Sequence, residues 1–214
     1  MRSVLRQTSS GLSASFELSH KDAVTATARQ KNNVTFGAGI DILLATGVAF
    51  SMRYRPGRQL GNLARASADR IFVPYDILDG SGRAIGSVAQ KREKTGFLCW
   101  DDYYELLLQN DAFHLYGIGM GAEGYKFPLF HEKDQIALIE KGCVVRNNLD
   151  EYVIHALDDA ANLCALFLAL YIDILIFGNR GEVAVKSVQR NYSVTKDTEL
   201  LKRYDETFAR RTDD

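Results

Sequence analysis

Three stretches of the chain repeat one pattern of apolar and polar positions: Phe16 to Gln30, Tyr75 to Lys91 and Phe127 to Lys141. Each opens on an aromatic residue, alternates through a short run, breaks at polar turn residues, and alternates again to a polar or basic end. Alternation with period two places one set of side chains on one face of a strand. Residues such as Asp79-Gly80-Ser81-Gly82 tolerate the positive φ of tight turns. The three stretches are therefore predicted β-hairpins of a meander with internal quasi-symmetry. Ile42 to Arg55, Tyr103 to Leu108, Phe113 to Ile118, Val144 to Asn147 and Glu151 to Ala156 are further strand candidates. Helical periodicity is hard to find before Leu157. About a dozen short strands divided by Gly, Asp and Asn turns predict a mainly β sandwich or barrel.

The pattern changes at Ala160. From there to Phe177 the chain reads AANLCALFLALYIDILIF, with Asp158-Asp159 before it and Gly178-Asn179 after it. Carboxylates favour the exposed N–H groups of a helix start, and a Gly-Asn stop tolerates left-handed geometry. A helix apolar on nearly every face must be buried in protein or in lipid. Its longest unbroken apolar run, Leu163 to Ile172, is 10 residues, whereas a membrane span needs about 20. Asn162 and Asp173 flank that run, so a core helix is expected and a transmembrane one is not. Asp173, inside an apolar helix, must pair, hydrogen-bond, stay protonated or reach the barrel mouth. Thr198 to Arg211 reads as a short amphipathic helix docked on the barrel surface, with Leu200, Leu201, Tyr204 and Phe208 along one side.

Two segments carry a family resemblance. Tyr75-Asp76-Ile77-Leu78-Asp79-Gly80-Ser81-Gly82, then Ile85-Gly86 and Lys91, form an aromatic-x-aliphatic-x-Asp-x-x-Gly hairpin whose return strand ends in Lys. Asp150-Glu151-Tyr152-Val153-Ile154 runs through Asp158-Asp159 into Leu166-Phe167-Leu168-Ala169-Leu170-Tyr171-Ile172-Asp173. Over residues 1 to 178 the chain resembles the tubby C-terminal-like superfamily, and within it LURP-one-related proteins and phospholipid scramblases. The resemblance implies a closed antiparallel β barrel of about 12 strands around a buried hydrophobic C-terminal helix. On that reading residues 1–178 form the barrel, with its central helix at 158–178, and 179–214 form a C-terminal extension. Tubby proteins bind phosphoinositides through basic side chains, which are not matched to positions of this sequence.

Charge narrows the partners. With 26 Lys and Arg against 27 Asp and Glu, the net charge is −1, and no global basic field draws the chain to nucleic acid. An anion site must therefore be a local patch. Ser51 to Arg70 holds Arg53, Arg55, Arg58, Arg65 and Arg70 against Asp69 alone, and Lys91, Arg92 and Lys94 follow the central hairpin. Arginine's planar fork suits phosphate oxygens, so Arg53, Arg55, Arg58, Lys91 and Arg92 are the candidate anion-binding residues. Arg53 and Arg55, two apart, are expected to share a strand face. The expected ligand is an anionic lipid headgroup or another phosphate.

Other chemistries find less support. Gly119-Met120-Gly121-Ala122-Glu123-Gly124 fits GxGxxG, but Tyr125-Lys126-Phe127-Pro128 follows as strand, so a hairpin loop and no nucleotide site is expected. His20, His114, His131 and His155 lie in no metal-ligand spacing. His114 and His131 can approach across one hairpin, but two neutral imidazoles without a nearby carboxylate or thiolate make a poor metal site. Cys99, Cys143 and Cys164 form no CxxC pair and read as free intracellular thiols. The N-terminus lacks an apolar leader-like run, so Asn33-Val34-Thr35 and Asn191-Tyr192-Ser193 are taken as chance glycosylation matches. No cofactor or metal is expected. The leading expectation is a cytoplasmic, non-enzymatic module, peripheral at the membrane if its phosphate ligand is a lipid. A structural or protein-interaction domain is the alternative. A hydrolase with scattered catalytic residues is the third, which a deep pocket holding His114 or His131 beside a carboxylate would favour.

Overall fold

The computed structural model describes residues 1–11, 13–31, 39–57, 70–96, 99–178, 187–189 and 202–212. Period-two alternation builds nine antiparallel strands in chain order: β1 (Arg2–Ser9), β2 (Ala14–His20), β3 (Ala23–Gln30), β4 (Ile40–Leu44), β5 (Ala49–Tyr54), β6 (Arg70–Asp79), β7 (Ala84–Gly96), β8 (Cys99–Leu108) and β9 (Asp111–Tyr116). After a two-residue strand β10 (Ile118–Gly119) come β11 (Tyr125–His131), β12 (Asp134–Lys141), β13 (Val144–Arg146), β14 (Glu151–Ala156) and β15 (Ser187–Gln189). β9 pairs with β11, β11 with β12, β12 with β14, and β14 returns to β1. Twelve strands thus close into an antiparallel barrel. β10 adds to β11, while β13 and β15 pair apart as a two-stranded sheet.

All three predicted hairpins are present, as β2–β3, β6–β7 and β11–β12. The first turns at Lys21 and Asp22, both at positive φ, as a two-residue hairpin requires. The run Ile42 to Arg55 is not one strand. Gly47, at φ 85, lets the chain reverse between β4 and β5, and the Leu44 N–H donates to Val48 O at 2.9 Å. Val144 to Asn147 is a strand, but it lies outside the barrel. β1 escaped the sequence pattern because two of its three buried inward positions, Ser3 and Gln7, are polar.

The apolar segment fills the barrel. Helix α1 (Asp159–Ile172) starts at Asp158, whose side chain accepts from the Ala161 N–H at 2.8 Å, and it continues as a π-helical turn over Asp173–Phe177. The 19 residues Asp159–Phe177 are long and apolar enough to cross a membrane, yet 78% of their most apolar stretch is buried inside the protein. Phe167 meets Phe50 edge-on at 5.4 Å, and Tyr171 meets Tyr75 and Tyr104 at 5.8 and 6.1 Å. Each fully buried large apolar side chain contributes about 1.5–3 kcal/mol. The Tyr171 hydroxyl donates to Val73 O at 2.9 Å and accepts from the Gln90 N–H at 2.8 Å. It thereby ties the helix to the β6 bulge, where Val73 is held at φ 44. For a β-branched residue that φ is strained, and the tie helps hold it.

Buried charge sits at the helix's C-terminal end. Lys141 is 1% exposed; it pairs with Asp150 and lies over the rings of Phe177 and Tyr152, at 4.9 and 5.3 Å. Asp173 is equally buried, and the Tyr152 hydroxyl donates to it at 2.6 Å. The carboxyl group inside the apolar segment is therefore buried and hydrogen-bonded. Gly178 ends the helix at φ −51, not in the left-handed region.

Near the end of the chain, helix α2 (Phe208–Thr212) packs against β12 and β14 with Phe208 fully buried. It is shorter than the amphipathic helix expected over Thr198 to Arg211, of which residues 198–201 lie outside the described residues.

Candidate functional site

The four candidate anion-binding residues among the described residues pair with four different carboxylates. Arg53, at the outer face of β5, donates to Asp41 on β4 and, through Nη1, to the carbonyls of Ile40 and Met52, both at 3.1 Å. Arg55 turns the other way, its Nε donating to Asp76 on β6 at 2.6 Å. Two residues apart in sequence, they are drawn to opposite neighbouring strands. Lys91 pairs with Glu105 of β8 at 2.6 Å. Arg92 makes a two-pronged contact with Asp102, at 2.6 and 3.1 Å, and lies over the Phe72 ring. Arg58 and Arg65 lie outside the described residues.

Around Arg53 the barrel wall forms a groove of about 640 Å³, lined by Ser15 and Glu17 of β2, Thr27 and Arg29 of β3, Asp41 of β4 and Ser51 of β5, among others. These positions share the outer face because Ile40, Ile42, Ala28 and Met52, which alternate with them, are buried. In register, Ser15 faces Arg29, Arg29 faces Asp41, and Asp41 faces Ser51. Lys31 also reaches Asp41, at 2.5 Å, its backbone N–H fixed to Gly39 O at 2.9 Å. Burial alone would raise the Asp41 carboxyl, but hydrogen bonds from Lys31 and Arg53 outweigh it and hold the group below its ordinary range. Lys31 and Arg53 therefore share one carboxylate, and Arg29 stands opposite it in the strand register. Among the described residues Arg29 makes no ion pair.

Arg29 and Lys31 were missed because they lie on a hairpin remote in sequence from Arg53. The signal was present: Thr27, Arg29 and Lys31 alternate with buried Ala28 and Gln30. Finding it needed the strand order, which brings β3 beside β4 and β5.

The glycine-rich segment is a loop between antiparallel β10 and β11, with Gly121 at φ 60 and Gly124 at φ 93. Gly124 also permits close approach, since a Cβ there would lie 2.0 Å from the Lys141 carbonyl oxygen.

The histidines correct an expectation. His114 and His131 each have a carboxylate nearby, Glu105 at 3.4 Å and Asp111 at 3.7 Å, and His155 has Glu140 at 3.4 Å. These partners arrive across strand pairs, which spacing along the chain does not show. A hydrogen bond with His114 chiefly holds the Glu105 carboxyl below its ordinary range; burial opposes this and Lys91 adds to it. His155 Nδ1 also meets Thr212 Oγ1 at 3.2 Å, joining α2 to the barrel. Among the described residues no group of three or more His, Cys, Asp or Glu is placed to hold a metal ion. Cys143 and Cys164 are free and buried, and burial pushes the Cys164 thiol up to about 12, far from a reactive thiolate.

The closed antiparallel barrel with a buried C-terminal helix is consistent with a tubby-like fold. Comparison with protein-family models, curated proteins and solved structures finds no match for this chain.

Proposed function

We propose that this chain is a non-enzymatic, tubby-like intracellular module whose outer groove over β2–β5 binds an anionic, phosphate-bearing ligand such as a lipid headgroup. One observation carries the reading: Lys31 and Arg53 share the Asp41 carboxylate, while Arg29, opposite Asp41 in register, lines the groove without an ion pair among the described residues. The Arg53 guanidinium is tethered by two main-chain carbonyls, so little side-chain entropy is lost when it meets a phosphate. Ser15, Thr27 and Ser51 add hydroxyls that suit the polar ring of a headgroup. Because α1 fills the barrel, the ligand is bound on the outer wall, where the protein would sit peripherally against a membrane.

The alternative is a structural or protein-interaction barrel without a small ligand. It is favoured by the pairing of Arg55, Lys91 and Arg92 with carboxylates, which gives those cations a structural role. Titration calorimetry with a soluble inositol trisphosphate separates the two. The binding reading expects saturable heat at low salt that weakens as salt screens the groove. Absence of saturable heat at low salt would leave the structural reading.

A further inference from the structure

A second cavity, of about 470 Å³, opens on the outer face of β9 and β11, lined by His114, Tyr116, Phe130, Glu132, Lys133 and Arg203. It belongs to a different part of the wall from the groove at Arg53. Its volume lies within the range of small-molecule sites.

The wall is a run of aromatic rings set by strand pairing. His114 faces Phe130 across β9–β11, and Tyr103 faces Tyr116 across β8–β9. Tyr116 meets Phe130 edge-on at 6.0 Å, stacks with Tyr103 at 5.8 Å, and Tyr103 meets His114 edge-on at 5.5 Å. Such a wall offers both ring faces and ring edges to a planar guest. His114 is held in place, since its Nε2 lies 3.4 Å from Glu105, a residue whose side chain is 12% exposed and which Lys91 fixes at 2.6 Å. The Nδ1 atom of His114 makes no hydrogen bond among the described residues.

Charge at the mouth comes from two separate elements. Lys133 stands at the β11–β12 turn. Arg203 is delivered by the C-terminal segment, which is anchored where the Asp205 N–H donates to Gln135 at 3.0 Å and where Phe208 is buried. Among the described residues neither cation makes an ion pair, unlike Arg53, Arg55, Lys91 and Arg92. Among the described residues that line the cavity, Glu132 is the one carboxylate, so two described cations stand against one described acid. Glu105 is already neutralised by Lys91.

We infer that this cavity is a binding site for a planar aromatic molecule bearing one anionic group, a carboxylate or a phosphate. The ring lies against Tyr116, Phe130 and His114, and the anion meets Lys133 and Arg203. The chemistry differs from that of the groove, whose hydroxyls and arginines stand beside Phe16 and Phe50 but also beside the carboxylates of Glu17, Asp41 and Asp79.

The test uses the full chain and four probes, followed by ligand-observed NMR. Benzoate and phenyl phosphate carry both ring and charge, cyclohexanecarboxylate carries charge alone, and benzyl alcohol carries a ring alone. At least one of the first two should bind saturably with a dissociation constant of about 1 mM or tighter, and the tighter of them identifies the anion. Each control should bind about tenfold more weakly or worse. Arg203→Ala and Tyr116→Ala should each weaken the aromatic anion about tenfold, whereas Arg210→Ala, an exposed arginine of α2, should not. Melting temperature confirms that the variants fold, and Arg203, being exposed, keeps the test open if Tyr116→Ala does not fold. No saturable binding of either aromatic anion, equal binding of all four probes, or an Arg203→Ala variant that binds like wild type overturns the inference.

Discussion

Arg29 stands directly opposite Asp41 in the β3–β4 register, yet the Asp41 carboxylate is taken by Lys31 and Arg53. Directly opposed residues of opposite charge normally stabilise a strand pair by a few tenths of a kcal/mol to about 1 kcal/mol. Here the carboxylate is shared, which leaves a guanidinium at the groove without an ion pair among the described residues. On the proposed reading this guanidinium meets the phosphate, beside the Glu17 and Asp79 carboxylates that also line the groove.

Gly39 gives Arg53 its seat. A Cβ at Gly39 would lie 2.5 Å from Arg53 Nη1, so Gly39→Ala should push the guanidinium aside while the barrel adjusts around a flexible side-chain end. Stability should change by about 0.5 kcal/mol or less, as for ordinary surface substitutions, while affinity for inositol trisphosphate falls. Denaturant melts and calorimetry on the same variant read the two effects separately. Unaltered affinity would mean that the position of Arg53 is irrelevant to the groove.

The helix at the centre of the barrel holds the fold together. Phe167 is fully buried against Phe50, and truncating a side chain of this kind leaves a cavity that the closed barrel cannot collapse. Phe167→Ala should cost about 3–5 kcal/mol and Leu166→Ala about 2–5 kcal/mol, measured by urea unfolding. Wild-type midpoints for both variants would contradict the placement of α1.

Gly124 cannot carry a side chain. Its φ of 93 and the close Lys141 carbonyl together require glycine, so Gly124→Ala should destabilise by at least about 1–3 kcal/mol from the backbone conformation alone. Thermal unfolding checks this, and a neutral outcome would show that the loop takes another course.

Glu140 predicts a pH dependence. Its hydrogen bond with His155 is the largest influence; burial opposes it, Lys126 adds to it, and the carboxyl is held down at about 2 against an ordinary 4.5. A group depressed in the folded state stabilises fully above its unfolded value and loses that contribution as pH falls through the folded one. Glu140→Gln should therefore be less stable than wild type at neutral pH, and the gap should close as pH falls from about 4.5 towards about 2. Denaturant melts across that range measure it. A gap of constant size would mean that the carboxylate is not the source.

The hairpins and the core helix were legible because their signals are local. Period-two alternation broken by turn residues marks β2–β3, β6–β7 and β11–β12, and a segment apolar all round has to be enclosed. β1 was not legible, since Ser3 and Gln7 occupy buried inward positions. The site was legible only in part. Counting charge along Ser51 to Arg70 finds Asp69 as the sole acid, whereas the fold supplies Asp41 from β4 and Asp76 from β6. Strand pairing decides which cations are neutralised. It takes Arg55, Lys91 and Arg92 into structural pairs and brings Arg29 and Lys31 to Arg53.

Co-sedimentation with vesicles tests the central claim most directly, comparing neutral vesicles with phosphoinositide-containing ones at low and moderate salt. The wild-type chain should pellet with the phosphoinositide vesicles and less so as salt shortens the screening length. Arg29→Ala/Arg53→Ala should abolish the preference while the chain still folds, its melting temperature lowered by no more than the loss of a half-exposed ion pair, whereas Arg146→Ala/Arg210→Ala, removing the same charge from exposed positions outside the groove, should keep the preference. Equal pelleting with both vesicle types, or a groove variant indistinguishable from that control, would contradict the account.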